Sequence, residues 1–271
     1  METNTTRLKE VLAIVNNKGG VGKTTTVQSL SVAMLRRHRN WRILVIDLDP
    51  QGDLSKLLGF GASRGDCPTV TDAMSSEQGK LPIYKSDSGI YFVPSSPALQ
   101  IIEPKLVAQM QPYMVLRKLV IGPVEDCSGE GITSVPEYFD YVLIDCPPAL
   151  SMCTYNAMAV ASGLIIPVQT EGLSVSGLGP IIVEMERVKR ELNPGLQLRG
   201  IVPVMVDKRP NISRSFIAYL GQAYGDSMTS VVIPRSVKVN EAQTKKQDIY
   251  EYRQWSPAAI AYDMLCKELF D

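Results

Sequence analysis

The residues with the clearest chemistry lie in the run VLAIVNNKGGVGKTTT, from Val11 to Thr26. Lys18-Gly19-Gly20-Val21-Gly22 is too glycine-rich to continue a strand or a helix, and it leads into Lys23, Thr24 and Thr25. Backbone N–H groups of such a turn converge on one point beside the positive end of a helix dipole, which is how phosphate is bound. Glycines let the backbone approach the ligand, Lys23 supplies a mobile cation, and the Thr24 hydroxyl is placed to ligate Mg²⁺. Three carboxylates accompany the loop: Asp47 and Asp49 in LDPQGDLS, and Asp145 closing VLID. Carboxylates near a triphosphate are unfavourable unless a metal or a water separates them. That suggests one carboxylate near Mg²⁺ and one orienting an attacking water.

Each of these groups follows an apolar run of strand type. Val11–Val15 precedes the loop, Arg42–Asp47 precedes Asp49, and Tyr138–Asp145 precedes Cys146-Pro147-Pro148. Helical apolar spacing (Val27, Leu30, Val32, Ala33, Leu35) follows the loop at once. Further along, the pattern predicts a short helix at 69–74 and strands at 89–93, 164–168, 198–206 and 230–233. Helices are expected at 156–161, 175–192, 212–224 and 257–270. Between Leu57 and Gly89 the signals weaken, and Glu125–Pro136 reads as a mobile polar connection. Strands alternating with helices predict an α/β fold, a doubly wound, mostly parallel sheet with helices on both faces, forming one domain over residues 1–271. Ligands of such sheets sit at the carboxyl ends of the strands, where these polar motifs fall.

Lysine plus arginine and aspartate plus glutamate number 28 each, so any nucleic-acid contact must come from a local patch. Five cysteines without a C-x-x-C pair read as reduced structural thiols. The start of the chain carries no apolar leader and no run approaches about 18 apolar residues. A cytoplasmic protein without membrane contact is therefore expected. His38 reads as a solvated surface residue, and Cys146 as a packed thiol, since no other histidine exists to activate it.

The loop departs from G-x-x-x-x-G-K-[ST] in an informative way: Asn17 stands where the first glycine would fall, and Lys18 adds a second lysine. This KGGVGKTT run resembles the deviant Walker A motif of the ParA/MinD family of P-loop ATPases. PVQTEGLSVSGL (167–178), VMVDKRPNISRSF (204–216) and VVIPRSVKVNEAQTKKQDIYEY (231–252) resemble family segments in the same order. The resemblance implies ATP and Mg²⁺ as cofactors and hydrolysis of ATP to ADP and phosphate. It implies nucleotide contacts from Lys18, Gly19, Gly20, Val21, Gly22, Lys23, Thr24 and Thr25, with Asp207 and Pro234 near the adenine. Thr24, Asp47 and Asp145 would serve the metal, Asp145 as the Walker B carboxylate, and Asp49 would position the water. Lys18 would reach across an ATP-dependent homodimer to the partner's nucleotide, beside the catalytic Lys23 of that chain.

Between Arg199 and Arg253 nine Lys/Arg face five Asp/Glu. On charge alone this is a solvated face. The resemblance instead implies non-specific DNA binding through Arg209, Arg214, Arg235, Lys238, Lys245 and Lys246, nucleoid association with ATP bound, and stimulation by a ParB-like partner. With ten residues before the loop's strand, the chain resembles the short form of ParA. Alternatives stay open: a MinD-like membrane-associated ATPase, an electron-transfer ATPase resembling nitrogenase iron protein, or a metabolic P-loop enzyme. The tail AAIAYDMLCKELFD, with three acids against one lysine, opposes an anionic membrane.

Overall fold

The computed structural model describes residues 6–61, 67–170, 177–207 and 210–271, apart from the side chains of 210–214. Eight strands form one sheet: β1 (Glu10–Ile14), β2 (Ile43–Asp47), β3 (Pro82–Lys85), β4 (Tyr91–Val93), β5 (Glu125–Asp126), β6 (Tyr141–Asp145), β7 (Gly163–Gln169) and β8 (Gln197–Val204). Their order is β5-β3-β4-β2-β6-β1-β7-β8. All pairings are parallel except β3 with β4.

Side chains alternate between the two faces of a strand, so both faces of a central parallel strand must be apolar. Val11, Ala13 and Val15 enter one core with the helices Val70–Ser75, Val115–Ile121, Met152–Val160 and Leu178–Glu191. Leu12 and Ile14 enter the other, with the helices Lys23–Arg37 and Pro257–Phe270. The expected helix-clad α/β sheet is therefore what forms. The order in which strands are added reverses around β1, flanked by β6 and β7, and the crevice at such a switch point opens at the strands' carboxyl ends.

The departures lie toward the β5 edge. Pro82 hides β3 from a pattern-based reading, because proline removes a ladder donor. Here that donor is not needed: Glu125 N and Cys127 N donate to Leu81 O and Ile83 O, the carbonyls either side of Pro82. The connection expected to be mobile, Glu125–Pro136, contains β5 and a short helix, Val135–Tyr138. Its turn is pinned by the Asp126 carboxylate, which accepts from the N–H groups of Ser128, Gly131 and Ile132. Tyr138 belongs to that helix, so β6 begins only at Tyr141. Residues 230–233 make no regular strand; isolated bridges flank them, from Met228 to Ile201 and from Pro234 to Val206.

Candidate nucleotide site

Strand pairing brings the chemistry together. Asp47 and Asp145 are register partners across β2 and β6, and Ile14, the last residue before the loop, pairs with Asp145 from the other side. Adjacent strands lie about 4.8 Å apart, so both carboxylates and the loop share one edge.

Asn16, 3% exposed, fixes the chain as it leaves β1. Its amide donates to Pro167 O (2.7 Å) on β7, and its Oδ1 accepts from Lys18 N (3.0 Å). Gly20 and Gly22 have φ of 70° and 79°, a region that strains any L side chain. The helix Lys23–Arg37 then starts with no side-chain cap and no acidic residue in its first turn. Its first N–H groups are left for an anion, which the dipole favours.

Lys23 is buried, and its ammonium donates to Lys18 O at 3.0 Å, folded over the loop it would share with phosphate. Burial lowers its pKa, opposed chiefly by the charge of Asp145. Lys18 does not line the cleft of its own chain; its side chain runs beside Gly177, where an added Cβ would meet Lys18 Cε at 3.4 Å.

The carboxylates differ sharply. Asp47 accepts from Asp49 N (3.0 Å), Ser55 N (2.9 Å) and Ser55 Oγ (2.6 Å), and burial pushes its pKa up to about 6 against those bonds. Neither Asp47 nor Asp145 lines the cleft. Asp49 does, with its Oδ1 accepting from Gln51 N at 2.9 Å. Asp145 is 1% exposed and neither oxygen meets a hydrogen-bond partner. Burial and then the charge of Asp47 hold its pKa well above the carboxylate range, with the nearby Thr24 hydroxyl and Lys23 opposing. A divalent cation between Asp145 and Thr24 would satisfy those oxygens and reverse that electrostatic balance, so the donor set fits Mg²⁺.

The cleft measures about 480 Å³, within the range of small-molecule sites. Beyond the loop it is walled by Met205, Ile233, Pro234, Asn240, Gln243 and Tyr262. Several of these are missed by motif reading. Gln243 donates to Thr25 Oγ1 (2.8 Å), and Tyr262 OH lies 3.2 Å from Thr26 Oγ1, tying two late helices to the loop. A signal exists for one group: Val239, Asn240 and Gln243 recur at helical spacing just after Pro234. Met205 holds φ at 52° without being glycine, and Gln169 Nε2 bridges its sulfur (3.0 Å) and Gly20 O (2.8 Å). Strain of this kind gathers at functional sites. Pro234 lines the cleft, and Asp207 is not among its wall residues.

Of the candidate DNA residues that the structure describes, Lys238 and Lys245 both lie near Glu241. Arg209 and the Arg214 side chain lie outside the described residues. Arg235 lines the nucleotide cleft. Lys238 pairs with Glu241 at 2.6 Å, and the Lys245 ammonium sits 4.9 Å from the Tyr252 ring centroid. Lys245 and Lys246 open onto a separate groove with Lys56.

A glycine turn between a buried strand and an uncapped helix, facing a bare carboxylate, defines a P-loop nucleotide-binding protein. A family model described as an AAA domain matches residues 9–198. Chromosome partitioning protein ParA of Caulobacter vibrioides is 34% identical over 96% of this chain and 93% of its own. Chromosome-partitioning ATPase Soj of Thermus thermophilus is 34% identical over 95% and 94%. Cobyrinic acid a,c-diamide synthase of Mycobacterium smegmatis, solved with bound ATP analog and magnesium, superposes with TM-score 0.77 at 29% identity, over 96% of this chain and 93% of that one. The chain belongs to the ParA/MinD family of P-loop ATPases.

Proposed function

We propose that this protein is a DNA-partitioning ATPase that dimerises on ATP, binds DNA without sequence preference, and is switched off by hydrolysis that a ParB-like partner stimulates. The observation that carries the catalytic half is the buried, unpartnered Asp145 carboxylate beside Thr24 and the uncapped loop. Partition proteins among its full-length relatives support the cellular half.

In this reading the loop N–H groups and Lys23 cradle the β- and γ-phosphates, and Lys23 gives up its bond to Lys18 O to do so. Asp145 and the Thr24 hydroxyl would hold Mg²⁺, which when bound neutralises phosphate charge. Asp47 positions rather than ligates: it ties the end of β2 to the Asp53–Leu57 helix and so places Asp49, which orients the attacking water. Lys18, outside its own cleft, is assigned to the partner's nucleotide, where a cation supplied in trans stabilises the transition state. DNA backbone contacts would come from Arg209, Arg214, Arg235, Lys238, Lys245 and Lys246, with steep salt dependence.

The membrane-associated alternative asks the closing helix to offer an apolar face to lipid. Here Ala258, Ala259, Tyr262, Leu265 and Leu269 of that helix are buried in the core. No helix among the described residues is long and apolar enough to cross a membrane.

Light scattering and turnover test the reading together. ATP, not ADP, should double the mass, and DNA with a centromere-binding partner should raise turnover. Lys18→Gln should abolish both the dimer and the stimulation. A Lys18→Gln chain that dimerises and hydrolyses like the parent, or turnover raised by liposomes and not by DNA, would overturn it.

A further inference from the structure

A second groove, about 840 Å³, lies four strands away from the phosphate loop at the same end of the sheet. β3 runs antiparallel to β4, so its first residues stand level with the carboxyl ends of β4 and β2. The groove is walled by the turn before β3, the segment after Glu103–Val107, and the helix Val115–Ile121. Lys80, Lys105 and Lys118 point charge into it from three separate stretches of chain, and Glu77 is the one acid in the lining. None of these lysines makes an ion pair or side-chain hydrogen bond among the described residues. Met110, also in the lining, is fully exposed, and Val107 beside it is 61% exposed.

Three like charges held around one concavity repel each other and give the fold nothing. A ligand carrying carboxylates would relieve that repulsion, and an apolar side chain on it would cover Met110. The geometry points to this groove as the docking site for an acidic, partly apolar peptide segment of a partner protein. A nucleic-acid backbone fits less well, because it asks for an extended basic track where this groove gathers three lysines around one concavity.

The walls of the groove are wired to the nucleotide site. Glu103, two residues before Lys105, accepts at 3.0 Å from Met152 N, the first residue of the helix that follows Pro147-Pro148. Asn156 of that helix accepts from Leu116 N (3.0 Å), two residues before Lys118, and donates to Pro112 O (2.8 Å). A peptide that clamps the lysines together therefore steadies the segment leading out of Asp145. Docking itself does not depend on the proposed ATPase reading, and the binding assay needs no turnover.

The test uses the full chain and a fluorescein-labelled peptide of repeating Glu-Glu-Leu, read by anisotropy at low salt. Saturable binding is expected, weakened at least about tenfold in Lys80→Glu/Lys105→Glu/Lys118→Glu. That variant should keep parental turnover and melting temperature, and a Lys-Lys-Leu peptide should not bind. Hydrogen exchange across 147–156 should slow with peptide in the parent only. Equal binding by parent and variant, absence of binding, or duplex DNA losing affinity in the variant in place of the peptide would each overturn the docking site. Unchanged exchange at 147–156 in the peptide-bound parent would overturn the coupling.

Discussion

Asp47 and Asp145 end neighbouring strands, face each other in register and are both fully buried, yet they hold opposite kinds of environment. Three donors converge on Asp47, two of them from Ser55, whose hydroxyl in turn accepts from Ser95 N at 2.9 Å. Asp145 receives none. A buried carboxylate saturated by hydrogen bonds stabilises its surroundings, while one left bare destabilises the empty protein and gains only when a cation arrives. The pair separates a carboxylate saturated by the fold from one left bare, a difference that sequence alone does not show.

The largest expected consequence is at Asp145. Asp145→Asn should cut turnover by about 100-fold or more and remove the Mg²⁺ dependence of nucleotide binding. The nucleotide-free chain should melt no lower than the parent, because the carboxyl that Asn replaces receives no hydrogen bond from the fold. Turnover within threefold of the parent, or a clear loss of stability, would break the contrast.

Asp47→Asn is the mirror experiment. Replacing one acceptor oxygen by an amide leaves either Asp49 N–H or the two Ser55 donors facing a donor, at about 1–3 kcal/mol of stability in the nucleotide-free chain. Urea denaturation reads this directly, and a variant as stable as the parent would show that these hydrogen bonds hold nothing.

The smallest effect belongs to an exposed carboxylate that serves as reference for both buried ones. Asp271 bonds to the Arg37 guanidinium, which with His38 lowers its pKa below the ordinary value. A depressed carboxyl pKa contributes stability above the unfolded value and loses it as pH falls through the folded one. Asp271→Asn should lower the melting temperature at pH 7 by no more than about 2 °C, and the difference should vanish near pH 2. A larger loss, or one that persists in acid, would assign that end of the chain a weight the ion pair does not explain.

The legibility of the site follows the same division. The loop, Asp49 and Asp145 stand out in the sequence because each lies among consecutive residues at the end of an apolar strand. Gln243, Tyr262 and Gln169 do not, since they reach the loop from 149 to 236 positions away, through packing that no local spacing encodes. The central strands and the closing helix were visible as apolar periodicity. β3 and β5 were hidden, one by Pro82 and the other by its two-residue length in a polar stretch. The basic residues after Arg199 are close in sequence; in the fold Arg235 lines the cleft, while Lys238 and Lys245 both lie near Glu241.

The closing helix has a meaning beyond its share of the core. It lies along the helix behind the phosphate loop, and its Tyr262 touches Thr26 while forming part of the cleft wall. Any lesion that loosens this helix would be felt first as a weaker grip on nucleotide rather than as unfolding, so Pro257–Phe270 acts as a splint for the helix Lys23–Arg37.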